Sequence, residues 1–210
     1  MRPSIDECVT ILDGFNPHSE LLSSKDEAIP LWNPPSEIST VILTGHTSTI
    51  RAVAFSPNGS TLVSGTDFDR IRLWDVASGA LIDTLEGTDG AIQGRSVAFT
   101  TAGKRIAAGG GNGIFIWDQV PAELADLSPN KHWKPTVALT AAGSSFSIAF
   151  SPNSSLLASG SQSGQVQVWE SSSRTLLWNL KGHASAVTGV TFSLDGGLLA
   201  SSSKDGTVRL

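Results

Sequence analysis

Cysteine is all but missing from this 210-residue chain: Cys8 stands alone, which excludes an internal disulfide framework and a cysteine-rich zinc site. Basic runs are missing too. The 14 Lys and Arg are scattered among 19 Asp and Glu, no run exceeds Lys104-Arg105, and the net charge of −5 offers no field for nucleic acid. No apolar stretch approaches the roughly 20 residues of a membrane helix. The opening MRPSIDECVT lacks the basic-then-apolar order of a secretory signal. The expectation is an intracellular protein, cytoplasmic or nuclear, with no nucleic-acid or membrane partner. Asn58-Gly59-Ser60 and Asn153-Ser154-Ser155 match the glycosylation pattern, but without a signal they read as turns.

What the chain does have is a period. Phenylalanine recurs at Phe15, Phe55, Phe99, Phe150 and Phe192, with spacings of 40, 44, 51 and 42. Tryptophan recurs at Trp32, Trp74, Trp117 and Trp169, with spacings of 42, 43 and 52. Two markers that drift together define one unit of about 42 residues, and the shared long interval marks an insertion. Within a unit the alternation is that of strands. Ile50 to Phe55 alternates, Ser56-Pro57-Asn58-Gly59 turns, Thr61 to Gly65 and Ile71 to Trp74 are further strands, and Ala80 to Leu85 is a fourth. No window carries a sustained 3.6-residue stripe. A four-stranded unit of this size cannot cover both its faces, so neighbouring units must stack.

The stretch GHTSTIRAVAFSPNGSTLVSGTDFDRIRLWD (Gly45 to Asp75) resembles the WD-repeat family, whose units are blades of a β-propeller. Ser96 to Asp118, Ile148 to Glu170 and the stretch opened by Gly182-His183 resemble it as well. A worn first unit, FNPHSELLSSKDEAIPLWN, keeps the turn proline and the Trp, although Asp13 stands where others have Val53 or Ile148. The implied fold is all-β: a propeller of four-stranded antiparallel blades in an incomplete or open arc. Its units would be 1–44 (degenerate), 45–86, 87–141 with an inserted segment 119–134, 142–181, and 182–210 (truncated). The closing SSSKDGTVRL reads as the second and third strands of a fifth blade, stopped one residue before an expected Trp. An alternative lets SIDECVT supply that blade's missing strand. A chain of this kind is expected to be marginal alone or to self-associate through exposed blade edges.

The resemblance also implies a buried tetrad of His, Ser or Thr, Asp and Trp. The second unit offers His46, Ser64 and Trp74, with Asp67 or Asp69 as the acid, since Phe68 holds the usual Asp place. The fifth offers His183, Ser201 and Asp205. The fourth keeps Ser159 and Trp169, has no His, and puts Ser163 in the Asp place. The third keeps Trp117 and Asp118 but has Gly87-Thr88 for Gly-His and Asn112-Gly113 for Asp-Gly.

These residues also suggest chemistry, and the repeat argues against it. A Ser/His/Asp set that recurs at repeat positions reads as a structural device, because an active site is normally unique. Gly109 to Gly113 lacks the following Lys-Ser/Thr and helix of a phosphate loop, so it reads as a turn. The four histidines are dispersed, and neither metal nor cofactor is expected. Hence no enzyme is expected, but a scaffold that binds proteins or peptides, with a ubiquitin-ligase substrate receptor as the alternative. By resemblance the binding rim would include Thr47, Asp67, Asp69, Arg70, Asp89, Asn112, Gln162 and Lys204. Trp133, in the inserted segment, reads either as a recognition residue or as a cover for a blade edge.

Overall fold

The computed structural model describes residues 28–32, 39–67, 70–85, 94–111, 113–121, 132–141 and 143–210. These residues form strands and no helix. A first pair joins β1 (Ala28–Trp32) to β2 (Ser39–Thr44). The second sheet runs β3 (Ile50–Phe55), β4 (Thr61–Thr66), β5 (Ile71–Asp75) and β6 (Leu81–Leu85). The third runs β7 (Ser96–Phe99), β8 (Arg105–Gly110), β9 (Gly113–Gln119) and β10 (Trp133–Leu139). The fourth runs β11 (Ser145–Phe150), β12 (Leu156–Ser161), β13 (Gln165–Glu170) and β14 (Leu176–Lys181). The fifth holds β15 (Val187–Phe192), β16 (Leu199–Ser203) and β17 (Val208–Arg209). Each sheet is an antiparallel meander, and the sheets pack as the blades of a β-propeller.

The first hairpin of a blade is closed by one recurring device. Ser56 N donates to Thr61 O and Gly59 N to Ser56 O, while Asn58 Oδ1 accepts from Ser56 Oγ, Ser60 N and Ser60 Oγ. Asn153 serves Ser151 and Ser155 in the same way, and Asp195 serves Ser193 and Gly197. A short side-chain acceptor that bonds backbone two residues on is what such a turn requires. Both Asn-X-Ser stretches therefore lie in turns, with the asparagine side chains engaged.

Burial follows from stacking. β4, β8 and β12 each carry five buried residues in succession, because a blade with neighbours is covered on both faces. The fit is close enough to need glycine. A Cβ at Gly65 would lie 2.4 Å from the carbonyl oxygen of Gly94, and one at Gly160 would lie 2.4 Å from Val187 Cγ1. Among the described residues the core is accordingly four interfacial clusters, and three of them are built around an indole: Trp74, Trp117 (with Trp133) and Trp169. The cluster between the fourth and fifth sheets, with Val166, Val168, Val187 and Val190, has none.

The inserted segment differs from its expectation in one respect. Trp133 is the first residue of β10, paired with Gln119, which itself belongs to β9. The strand tolerates Pro135 because it lies at a sheet edge, where a register shift falls between Pro135 and Val137. The unit before Ala28, with Phe15, Asp13 and SIDECVT, lies outside the described residues.

Candidate functional site

The register places Ser64 opposite Val53 and Ser201 opposite Val190, so the two serines hold one position in two blades. Ser64 is fully buried. Its hydroxyl lies 2.6 Å from His46 Nε2 and accepts the Trp74 Nε1 proton at 2.8 Å. The His46 and Trp74 rings meet edge to face at 5.7 Å. In the fifth blade His183 Nε2 lies 2.9 Å from Ser201 Oγ, and Nδ1 lies 2.9 Å from Asp205 Oδ2. A carboxylate there accepts, so Nδ1 carries a proton and donates to Asp205. Asp205 Oδ2 also accepts from Ala184 N, and Oδ1 from Thr207 N and Oγ1. These bonds, the Thr207 hydroxyl foremost, hold the Asp205 carboxyl well below the ordinary carboxylate range.

The other two blades break the chain of bonds. In the fourth, Thr140-Ala141 replaces Gly-His, and the Ser159 hydroxyl, fully buried, has no hydrogen-bond partner. In the third, Ala108 stands opposite Val97, the place of Ser64, so the position is apolar outright.

Serine, histidine and carboxylate in this order also describe a nucleophile, base and orienting acid. The arrangement recurs, and in the second blade the hydroxyl is spent on an indole N–H inside the core. Of the two acids offered there, Asp67 has other partners. Arg51 Nε donates to its Oδ2 at 2.6 Å, and Arg95 Nε lies 3.3 Å from its Oδ1. Asp69, Asp89 and Asn112 lie outside the described residues.

Arg51 and Arg95 escaped the sequence reading, yet a signal for them was there. Arg51, Arg95, Phe146 and Thr188 all stand two residues before the apolar residue opposite the serine position. The repeat varies this place freely. Asp67 joins Arg51 of its own blade to Arg95 of the next, and the Arg95 guanidinium lies 5.3 Å from the Phe146 ring in the third of the series. Beside this row the loops after the second strands are pinned alike. Asp67 N donates to Thr49 O, Gln162 N to Ser144 O and Lys204 N to Ala186 O. One backbone thus presents an acid, an amide and a base. Gln162, Lys204, Arg70 and Thr47 are exposed, and Arg51 keeps half of its side chain in solvent. Trp133 is buried, its ring 6.3 Å from Phe99, at the opposite end of the blades. It floors a cavity of about 1130 Å³ with Pro57, Lys104, Val120 and His132.

Comparison with known proteins places the repeats. The model of the WD domain, G-beta repeat, matches residues 37–75, 79–118, 126–170 and 174–210. The chain is 31% identical to WD repeat-containing protein VIP3 of Arabidopsis thaliana, over 82% of the chain and 55% of that protein. It is 29% identical to nuclear distribution protein nudF of Aspergillus niger, over the whole chain and 49% of that protein. Autophagy-related protein 16 of Arabidopsis thaliana is 24% identical, over 94% of the chain and 37% of that protein. The chain spans about half the length of the first two relatives.

Proposed function

Because the chain belongs to the WD-repeat family, we propose that it is a non-catalytic interaction scaffold that holds peptide or protein partners on the rim bearing Arg51, Arg95, Phe146, Gln162 and Lys204. The observation that carries this reading is the contrast between backbone and side chain at the rim. Asp67, Gln162 and Lys204 are fixed by the same hydrogen bond yet differ in charge, as recognition loops on a rigid frame do. Arginine and an aromatic beside them supply the residue types that dominate interface energetics. One relative, VIP3 of Arabidopsis thaliana, is itself named a WD repeat-containing protein, which agrees at the coarse level. On this reading the protein acts inside the cell.

The test is affinity capture from cell extract with the chain and with an Arg51→Glu/Gln162→Ala/Lys204→Glu variant. A Lys134→Glu control alters an exposed residue away from the rim. Partners are expected to be lost from the rim variant alone. Equal loss from both, or from neither, would count against this face. Ester hydrolysis by the wild type that vanishes in Ser201→Ala would replace the scaffold with an enzyme.

A further inference from the structure

The cavity of about 1130 Å³ lies on the seam between the second and third blades, and the corresponding seam between the third and fourth is bridged. There Arg105, opposite Asp118, sends Nη1 across to Ser171 O at 2.7 Å and Ser171 Oγ at 2.9 Å. Thr101 N and Oγ1 also reach Ser154 Oγ, at 3.1 and 2.8 Å. One blade earlier each place holds a residue that cannot make the bond. Thr61, opposite Asp75, has the place of Arg105 and carries no guanidinium. Pro57 has the place of Thr101 without an N–H, and Gly103 has the place of Ser154 without a hydroxyl. The two still face each other, since a Cβ on Gly103 would lie 3.4 Å from Pro57 Cδ.

The insertion adds a wall. In the second and fourth blades the chain turns directly after the acid, with Gly79 N donating to Asp75 O and Arg174 N to Glu170 O. In the third the ribbon runs on: Gln119 pairs with Trp133, and Val120 N donates to His132 O. The buried Trp133 thereby joins Phe99, Leu73 and the 42%-exposed Ile82 in an apolar floor. Lys104 and His132 stand exposed at the mouth, and among the described residues that line the cavity none is Asp or Glu. Neither cation has an ion-pair partner among the described residues. On a chain of net charge −5, this is a basic mouth over an apolar floor.

We infer that this cleft is a docking site for a short acidic segment of a partner protein. A large apolar side chain of that segment rests on Trp133, Phe99 and Ile82, and a flanking Asp or Glu pairs with Lys104 and His132. The volume stands above the roughly 300–1,000 Å³ of small-molecule sites, so several residues of polypeptide fit it better than a metabolite. Lys104 fixes the sign of the partner, because a basic segment would meet it as like charge. The site lies at the other end of the blades from Arg51 and Gln162 and does not depend on whether the rim binds.

Selection of a display library of random twelve-residue peptides on the full chain tests this, with fluorescence polarisation of the enriched peptides. Enriched sequences are expected to set Asp or Glu beside Leu, Phe or Trp. Lys104→Glu, at an exposed position, is expected to weaken their binding about tenfold or more at about 0.1 M salt. Thr61→Arg, which supplies the guanidinium that spans the next seam, is expected to abolish binding while the melting temperature does not fall. Arg51→Glu is expected to leave binding unchanged, so these results stand or fall apart from the rim. A basic or wholly polar consensus, no enrichment, or binding unchanged by Lys104→Glu would overturn the proposal. So would peptides that fall away with Arg51→Glu alone, since those map to the rim. Two other occupants would show themselves: a dimer in sedimentation that Lys104→Glu disperses, or binding that appears only once Glu123 and Asp126 are replaced by serine. Either would overturn the proposal, with a second copy or the chain's own insertion in the cleft.

Discussion

The interface between the second and third blades and the one between the fourth and fifth are built from the same repeat and end in opposite states. In the first, Leu85 is 2% exposed beneath Trp117; in the second, its register equivalent Leu180 is 48% exposed. β4 has five buried residues in succession, whereas β16 has one. Even the glycine rule lapses: Gly65, Gly109 and Gly160 occupy one position on the second strands, and on β16 that position is Ser202. The two local sequences are alike. What differs is the cover each face has among the described residues: the Trp117 ring shares a cluster with Leu85, whereas the cluster between the fourth and fifth sheets holds no indole, so burial is a property of the stack.

The largest expected contrast is at the leucines. Leu85→Ala should lower the unfolding free energy by about 2–5 kcal/mol, and Leu180→Ala by less than about 1 kcal/mol. Urea denaturation followed by tryptophan fluorescence measures both, and equal losses would mean that the fifth blade is covered like the rest. Next comes Gly160→Ala, which forces a methyl onto Val187 and should cost about 1–3 kcal/mol, while Ser202→Ala should fall within about 0.5 kcal/mol of wild type.

The tetrads sharpen the comparison further. Ser64→Ala strips His46 and Trp74 of their shared partner and should cost about 1–3 kcal/mol. Ser159→Ala should be neutral or slightly stabilising, because the hydroxyl it removes is buried without a partner. The smallest effect is pH-dependent. The Asp205 carboxyl is held below its ordinary value, so its contribution is present above the unfolded-state pKa of about 3.9 and is lost as pH falls through the lower folded value. The difference in urea midpoint between wild type and Asp205→Asn should hold steady between about pH 5 and 7 and shrink below about pH 4. A gap that persists at the acid end would take the carboxylate out of the account.

Much of this was legible before any coordinates. The strands of the second blade lie where the period put them, to within a residue at β4, β5 and β6, because apolar alternation and turn chemistry are local and the repeat states them several times over. The histidine, serine and tryptophan of the second blade came from the resemblance to the WD-repeat family, and the structure joins them by hydrogen bonds. The acid was not legible, since spacing alone could not divide Asp67 from Asp69, and Asp67 is drawn off by arginines from two blades. Trp133 looked like loop, because the insertion hides the edge strand that Trp133 begins. The row of Arg51, Arg95, Phe146 and Thr188 went unremarked because its members share no chemistry, only a place.

The sequence alone determined the repeating unit and the strand order within each blade, both of which depend on neighbours close along the chain. Only the tertiary structure decided which faces are covered and which arginine reaches which acid. Those outcomes depend on which sheet lies against which, and residues some 40 positions apart meet only once the blades are stacked.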